Sequence, residues 1–381
     1  MEKYDVIIIG AGASGIMCAS NIYSKKVLLL EKQDKIGKKI LVTGNGRCNL
    51  TNKNLLTDCY NTDLVSKFFD KFNNYDLLNY FSSIGLSYYF DDEGRCYPTS
   101  NYASSVLDIM RLNLNKHKNV TILTNSSAKN IDFKNGKYFV STDNETYPAD
   151  NVVFSTGGDF ENIFNFKIDF VPFYPSLCGF KTEKNKGLNG VKQKNVKATL
   201  SNSQNFCEQG ELLFKENGVS GICIFNLSNH YDKNGKNTLK IDLLPNISTS
   251  DLFDDLKHRC TIFDSAENLL TSLFQKQLIA SILEKSNIKS TTPTCNLKNT
   301  DLQKITDTIK NYTIKITGLE NNNQIFSGGV KLENLSDNLE YQKGLYFVGE
   351  SCNVSGKCGG YNLQWAFTSG KIVGDLIDKV W

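Results

Sequence analysis

The stretch that decides the fold is YDVIIIGAGASGIMCASNIY, residues 4–23. It opens with a short β-branched apolar run, which is typical of a parallel strand covered on both faces. Gly10, Gly12 and Gly15 then follow at the spacing G-x-G-x-x-G, and the residues after them are compatible with a helix. A second apolar run, VLLLE at residues 27–31, predicts another strand. The sequence therefore predicts a βαβ unit near its first residue.

This βαβ unit has the features of a phosphate-binding turn. The glycines permit a tight turn and close approach of the backbone, and the helix N-terminus offers N–H groups and a positive dipole end to a pyrophosphate. Glu31 follows Gly10 by about 20 residues, where a carboxylate can accept hydrogen bonds from a ribose diol. The unit therefore predicts a dinucleotide site, with Gly10, Gly12, Ala13, Ser14, Gly15, Glu31 and Lys32 as its contacts.

Composition excludes few classes of protein. The 381 residues are 40% hydrophobic and 22% charged, as in an ordinary globular protein of two or three domains. A net charge of +3 gives no whole-chain argument for nucleic acid or membrane, and we expect neither a DNA nor a membrane partner. Eleven scattered cysteines without a C-x-x-C pair or a signal peptide favour reduced thiols in the cytoplasm. The three histidines lack metal-like spacing, so no metal site is expected.

The pattern along the chain predicts an interrupted domain. Residues 1–169 and 312–381 are expected to form the two parts of a nucleotide-binding domain. Residues 170–248 form a β-rich insert in this prediction, with VKQKNVKATL, GICIFNLS and TLKIDLL as antiparallel strands. Residues 249–311 carry apolar stripes at helical spacing and predict a small helical cap.

The C-terminal stretch GLYFVGESCNVSGKCGGYNLQWAFTSG, residues 344–370, favours FAD over NAD. A strand ends at Gly349-Glu350, and a glycine-rich turn then leads into a helix. A second strand-to-helix terminus beside the first would lengthen the site toward a flavin and its ribityl chain. Gly359-Gly360, before Tyr361, would let the backbone approach a flat ring. The chain has one G-x-G-x-x-G fingerprint, so a second dinucleotide domain of that kind is not expected.

Several further motifs resemble those of the YhiN/BaiN-type flavoproteins, also described as aminoacetone-oxidase-like FAD-binding enzymes. The resemblance implies an α/β, two-dinucleotide-type FAD-binding Rossmann-like fold, interrupted by a β-rich, barrel-like insert and a small helical cap. GRCNLTN and GGYNLQWA are more specific than the glycine fingerprint. The matching stretches are GKKILVTGNGRCNLTN (37–52), GRCYPTSNYASSV (94–106), STGG (155–158), GELLFKENGVSG (210–221), SGGV (327–330) and GGYNLQWAFTSG (359–370).

The resemblance implies that LVTGNGRCNLTN, residues 41–52, passes under the flavin. Arg47 would neutralise a phosphate or pair with the anionic reduced ring, while Asn49 and Asn52 would bond either the pyrimidine edge or the local turn. The candidate catalytic residues are Cys48, Arg47 and Asn353. The remaining predicted FAD contacts are Lys39, Gly44, Gly46, Arg47, Cys48, Ala128, Thr156, Gly157, Gly158, Gly349, Glu350, Gly359, Gly360, Tyr361 and Asn362.

Three departures from the family pattern leave the substrate open. DFENIFNFK runs from Gly158 straight into the insert, Asn353 stands where an Asp is usual, and GVSGIC lacks a proline. Cys48, Cys352 and Cys358 are either redox-active thiols or small buried side chains. KTEKNKGLNGVKQKNVK, residues 181–197, carries six lysines against one glutamate and is either a solvated hairpin or a phosphate-contacting edge for RNA.

The predicted chemistry is hydride transfer through flavin N5, with NADH or NADPH as a transient electron donor. The favoured reaction is reduction of a conjugated C=C or C=O group. Its acceptor is either a small molecule, such as a steroid-type enone, or uridine in ribosomal RNA, which would become dihydrouridine. One alternative is a flavin amine oxidase acting on a small aminoketone, for which the sequence shows no aromatic or acidic cage. Another is an FAD-containing RNA- or protein-binding module without turnover.

Overall fold

A computed structural model describes residues 3–158, 163–185, 187–233, 235–321 and 325–379. The chain divides into two compact units, one made of Met1–Tyr174 with Asn323–Trp381 and the other of Pro175–Asn322. Within the described residues, no helix has both the length and the apolar character needed to cross a membrane.

Strands and helices are numbered along the chain. Up to Pro175 they are β1 (Tyr4–Ile9), α1 (Ala13–Ala19), β2 (Val27–Leu30), β3 (Thr51–Asn52), α2 (Ser66–Phe69), α3 (Asn74–Ser83), β4 (Tyr88–Phe90), β5 (Arg95–Pro98), α4 (Ala103–Leu114), β6 (Val120–Leu123), β7 (Asn130–Lys134), β8 (Lys137–Ser141), β9 (Thr146–Phe154) and β10 (Val171–Pro175). Then follow β11 (Phe180–Thr182), β12 (Lys192–Ser201), β13 (Asn205–Lys215), β14 (Gly218–Ser220), α5 (Ile222–Ser228), β15 (Thr238–Asp242), α6 (Thr249–Arg259), α7 (Ala266–Leu270), α8 (Lys276–Lys285), α9 (Asn299–Lys310) and β16 (Tyr312–Leu319). The last elements are β17 (Phe326–Gly329), β18 (Glu340–Gln342), β19 (Leu345–Phe347) and α10 (Tyr361–Lys379).

The first unit is built on a mainly parallel sheet with the strand order β18-β19-β9-β1-β2-β6. Strand β1 lies between β2 and β9 and pairs in parallel with both, with Ile7 opposite Leu28 and Val152. The side chains of Val6, Ile7 and Ile8 are fully buried, which explains why this strand reads as an unbroken apolar run. The predicted Rossmann-like α/β fold is confirmed.

Helices α1 and α10 cross at small residues, so the two ends of the chain form one unit. A methyl group on Gly370 would overlap the carbonyl oxygen of Ser14, and one on Gly374 would lie 2.7 Å from the carbonyl oxygen of Cys18. The indole N–H of Trp365 also donates to the carbonyl of Gly349 at 3.0 Å. This close crossing places the turn before α10 beside the turn before α1.

The second unit contains a closed barrel with the strand order β11-β14-β13-β12-β15-β16. It closes because β16 pairs with both β15 and β11. Helix α9 contacts β15 and β16, and α6 and α8 contact α9. The predicted β-rich insert and helical cap therefore share one hydrophobic core.

Two details differ from the sequence-based prediction. Residues Tyr312–Leu319, predicted to open the C-terminal part of the nucleotide-binding domain, instead form the strand that closes the barrel. GICIFNLS, predicted as a strand, is helix α5. Gly221 has φ +116°, which breaks the strand before it, and buried Cys223 and Asn226 donate to Glu211 and Glu208 of β13. A short apolar run fits either structure, and the tertiary contact decides.

We expect Gly370→Ala to destabilise the first unit, because the new methyl group meets backbone atoms that have no room to move. Overpacking of this kind costs about 1–3 kcal/mol, and each kcal/mol lowers the melting temperature by roughly 2–4 °C in a domain of this size. Circular dichroism melting curves measure the effect. Gly318→Ala is the matched control, because a methyl group there meets nothing within 4 Å. Equal melting temperatures for both variants would contradict the packing argument.

Candidate functional site

The glycine turn after β1 is fixed by its own backbone. Gly10 has φ +100°, and a methyl group on it would lie 2.6 Å from the carbonyl oxygen of Ser155. A methyl group on Gly15 would overlap the carbonyl oxygen of Gly10, whereas one on Gly12 would meet nothing within 4 Å. The first and third glycines are therefore required by packing, and the second borders open space where a pyrophosphate can approach the backbone.

Glu31 is held beside this turn by main-chain donors. Its Oε2 accepts a hydrogen bond from the N–H of Ala11 at 3.0 Å, and its Oε1 accepts one from the N–H of Gln33 at 2.9 Å. Each carboxylate oxygen keeps a second lone pair for a ribose hydroxyl. Lys32 follows as an exposed residue. The placement of Glu31 suits the ribose role predicted for it.

An ion pair between Lys39 and Glu350 lies beside Gly157, so three motifs that are far apart in sequence meet here. Nζ of Lys39 lies 2.6 Å from Oε2 of Glu350, which follows β19. A methyl group on Gly157, after β9, would lie 3.2 Å from the same carboxylate oxygen. The sequence predicted these three residues singly but not their contact. Gly158 packs against Phe326, and residues 159–162, where the shortened segment begins, lie outside the described residues.

The loop that carries GNGRCN turns sharply. Gly44, Asn45, Gly46 and Cys48 have φ values of 56°, 57°, 80° and 60°. A methyl group on Gly44 would lie 2.6 Å from the main-chain nitrogen of Asn49, so this glycine is required by the turn. One on Gly46 would meet nothing within 4 Å, and this residue is exposed. Gly46 therefore offers open backbone, as Gly12 does.

Asn49 supplies a buried acceptor that lacks a protein donor. Its side chain is 8% exposed, and Oδ1 has no hydrogen-bond partner within the part of the chain that the structure describes. A methyl group on Gly360 would lie 2.8 Å from this oxygen. Leaving such an acceptor unsatisfied costs about 1–3 kcal/mol. The imide N–H of a flavin ring is the donor that would satisfy it, so the residues present fit FAD.

Asn52 bonds the local turn, which is the second of the two roles that the sequence left open for Asn49 and Asn52. Its Nδ2 donates to the carbonyl of Gly359 at 3.1 Å, and its Oδ1 accepts from the N–H of Asn54 at 2.9 Å. Asn52 therefore holds the glycine turn before α10 in place. The two asparagines of GRCNLTN thus differ, because Asn52 bonds the protein with both side-chain atoms and Asn49 has an acceptor to spare.

Buried polar contacts anchor the start of α10. Oγ1 of Thr51 donates to Oε1 of Gln364 at 2.5 Å, and Nε2 of Gln364 donates to Thr368 at 2.9 Å. The Tyr361 hydroxyl donates to the carbonyl of Asn54 at 3.2 Å. The side chain of Asn362 bonds both main-chain groups of Gly356, so it orders the glycine-rich turn.

Arg47 lies over an aromatic ring. Its guanidinium carbon is 4.3 Å from the ring centroid of Tyr97, and Nη2 donates to the Tyr97 hydroxyl at 3.3 Å. Among the described residues, no carboxylate pairs with Arg47. Its positive charge is thus oriented by Tyr97 and left available to an anion.

The thiols beside the site are protonated at neutral pH. Burial raises the pKa of Cys48 to about 12 and that of Cys96 to about 12. Burial also raises the pKa of Cys352, whose Sγ donates to the carbonyl of Phe347 at 3.2 Å. These environments are those of small buried side chains rather than of thiolates. Cys358 is half-buried.

Asn353 and Ala128 are the remaining predicted site residues. Asn353 is bonded through its main chain, since its N–H donates to Val330 at 2.7 Å and its carbonyl accepts from Asn61 at 3.3 Å. Ala128 lies half-buried between β6 and β7. The catalytic roles of Cys48, Arg47 and Asn353 stay predictions.

We expect Asn49→Leu to weaken FAD binding by roughly 5- to 30-fold, since a hydrogen bond to a buried acceptor contributes about 1–2 kcal/mol. The same change should not destabilise the apoprotein, because it removes an unsatisfied buried acceptor. Flavin fluorescence titration and apoprotein melting curves test the two effects. Asn79→Leu, at an exposed position on α3, is the matched control. An unchanged dissociation constant would show that Oδ1 does not contact the flavin.

We also expect iodoacetamide at pH 8 to modify Cys207 and Cys295, which are exposed, and to leave Cys48 and Cys352 intact in the folded protein. The reason is that the reactive species is the thiolate, which burial disfavours. Mass-spectrometric mapping measures the modification, and urea-unfolded protein is the control in which all four should react. If Cys48 were modified as fast as Cys207, the result would support an active-thiol role for Cys48.

The chain matches two domain families along its length. Residues 4–161 match the "HI0933-like protein Rossmann domain", and residues 174–326 match the "HI0933-like protein barrel and H2TH domain". The two matched regions correspond to the first part of the sheet unit and to the barrel unit.

Full-length relatives agree with these matches. The chain is 32% identical to the 3-dehydro-bile acid delta(4,6)-reductase of Clostridium scindens, over 96% of this chain and 97% of the relative. It is 26% identical to the ribosomal RNA dihydrouridine synthase of Haemophilus influenzae, over 97% of each chain. It is 27% identical to the ribosomal RNA dihydrouridine synthase of Escherichia coli, over 97% of this chain and 96% of the relative. The chain belongs to the HI0933-like family of YhiN/BaiN-type proteins, and it is an FAD-dependent oxidoreductase.

Proposed function

We propose that this protein reduces a conjugated C=C or C=O group, with NADH or NADPH as the electron donor. The observation that carries the proposal is the guanidinium of Arg47, which lies on Tyr97 without a carboxylate partner among the described residues and is two positions from Asn49. When bound, FAD supplies hydride transfer. Arg47 is placed to stabilise negative charge on the reduced ring or on the acceptor's carbonyl oxygen.

The names of the relatives support one shared chemistry. A delta(4,6)-reductase and a dihydrouridine synthase both saturate a C=C bond conjugated with a carbonyl. Hydride adds to the carbon β to the carbonyl, negative charge moves to oxygen, and a proton then adds to the α carbon. A cation near the acceptor oxygen serves either substrate. The proposed acceptor is therefore either a steroid-type enone or a uridine of ribosomal RNA.

Amine oxidation has less support. A protonated aminoketone would approach a loop that carries Arg47 without a carboxylate partner in the described chain. Glu350 is already paired with Lys39 at 2.6 Å. Like charge thus opposes the substrate that this alternative requires.

The test is anaerobic titration of the yellow holoprotein with NADH and NADPH, followed by a 3-oxo-Δ4 steroid, by ribosomal RNA or by air. We expect one nicotinamide to bleach the flavin spectrum, and an enone or uridine acceptor to restore it faster than air does. Reoxidation by air alone, with hydrogen peroxide formed, would favour an oxidase. A flavin inert toward both nicotinamides would contradict the proposed electron donor.

Variants of Arg47 sharpen this test. We expect Arg47→Gln to slow reoxidation by the acceptor by about 100-fold, as loss of one charge-stabilising donor does in other enzymes, and Arg47→Lys to recover part of the rate. Lys116→Gln, which removes an exposed charge on the same unit, is the matched control. Equal rates for Arg47→Gln and Lys116→Gln would exclude Arg47 from the reaction.

A further inference from the structure

The barrel carries a polar outer face on strands β12, β13, β15 and β16. Register pairs Thr199 with Lys240 and Ser201 with Thr238, and Lys240 is paired in turn with Thr313. The residues between them, among them Leu200 and Leu239, are fully buried in the barrel core. The alternation therefore puts one row of polar side chains outward from each strand. We name this surface the lysine face, defined by Lys197, Thr199, Ser201, Asn205, Lys240 and Thr313.

Asp242, a carboxylate that borders the lysine face, is already neutralised by an ion pair. Asp242 lies opposite Lys197 in the ladder, but its Oδ2 is 2.6 Å from Nζ of Lys310. Lys310 is mostly buried and also donates to the carbonyls of Leu244 and Ile247, at 2.9 and 2.7 Å. This ammonium is satisfied by the protein, so the Asp242–Lys310 pair contributes structure rather than net charge.

Lys197 and Lys240 have surroundings unlike those of Lys310. Both are exposed, and neither pairs with a carboxylate in the part of the chain that the structure describes. They stand at diagonal positions on adjacent strands, within about 7–8 Å at the backbone. An open depression of about 380 Å³ lies between them, bordered by the hydroxyls of Thr199 and Ser201. Two like charges on adjacent strands repel, and an anion between them removes that cost.

Two other lysines of the 181–197 stretch lack this property, because each is paired with a carboxylate. Lys184 lies 3.0 Å from Glu216, and Lys192 lies 2.7 Å from Glu211. Lys186 lies outside the described residues. Lys181 and Lys194 are exposed, but Lys197 is the residue of this stretch that belongs to the lysine face as defined above.

We propose that the lysine face binds the sugar–phosphate backbone of a single RNA strand. Lysines without carboxylate partners contact phosphates, and neighbouring hydroxyl and amide groups hydrogen-bond phosphate oxygens and 2′-hydroxyls. The face has no apolar side chain to enter a lipid layer and no aromatic ring on which a base could stack. Contact is thus with the backbone and is independent of base sequence. The inference rests on the proposed function only in taking RNA as substrate.

The experiment measures binding of a short fluorescein-labelled single-stranded RNA to the FAD-loaded full chain by anisotropy at several salt concentrations. We expect Lys197→Gln/Lys240→Gln to bind at least about fivefold more weakly, and the slope of log K against log[salt] to fall by about 1.4. Lys257→Gln/Lys289→Gln is the matched control, since both residues are exposed lysines of the same unit. It should bind as the unaltered protein does.

Flavin reduction by nicotinamide and reoxidation by a steroid enone are measured on the same samples. If the lysine-face variant keeps these reactions and loses RNA affinity, the lysine face is the RNA contact and the flavin site is intact. RNA affinity equal to that of the control variant, or no RNA binding by the unaltered protein, would overturn it even if the reductase reaction is confirmed. Equally strong, Lys197- and Lys240-dependent binding to phosphatidylserine vesicles would also overturn it in favour of a general anionic surface.

Discussion

The close crossing of α1 and α10 is the constraint on which the rest of the sheet unit depends. Backbone approaches backbone at Gly370 and Gly374 because neither residue carries a side chain. This contact positions Gly349, where a methyl group would lie 2.6 Å from Oγ of Ser14. Two turns from opposite ends of the chain thereby become one surface, and GRCNLTN is then held against the second turn through Asn52 and Thr51.

The buried polar groups of the site differ in whether the protein itself supplies their hydrogen-bond partners. Most buried polar groups near α10 are bonded within the protein, as Gln364 is to Thr51 and Thr368. Within the described residues the exceptions are Oδ1 of Asn49, which faces the glycine pair, and the hydroxyls of Ser327 and Ser351. An acceptor left unsatisfied in a buried site lowers the stability of the apoprotein and raises affinity for a ligand that donates to it. A ligand that donates to Asn49 would therefore couple its own affinity to the folding stability of the protein.

Local sequence patterns predicted the parts of the structure that local physics decides. The G-x-G-x-x-G spacing fixed the first turn, since Gly10 and Gly15 have no space for a side chain. Contacts between distant segments were out of reach: the sequence showed Lys39, Gly157 and Glu350 but not that they meet. Helix α5 was predicted as a strand because a short apolar run takes its structure from the surface it packs on. Strand β16 was assigned to the wrong domain because its pairing with distant β11 is not visible in the sequence. The motif GRCNLTN pointed to both asparagines as possible ligand contacts. The structure shows that they differ, because Asn52 is bonded within the protein and Oδ1 of Asn49 is not.

The order of strands in the sheet has a consequence for synthesis on the ribosome. Strand β9 lies between β1 and β19, and β19 is made almost 200 residues after β9. The barrel unit, by contrast, is one continuous segment. As the chain emerges, β8 covers residues 146–149 of β9, and the barrel has all its strands while Val152–Phe154 still lack their partner on this edge. This edge of the sheet is therefore completed only when Leu345–Phe347 arrives.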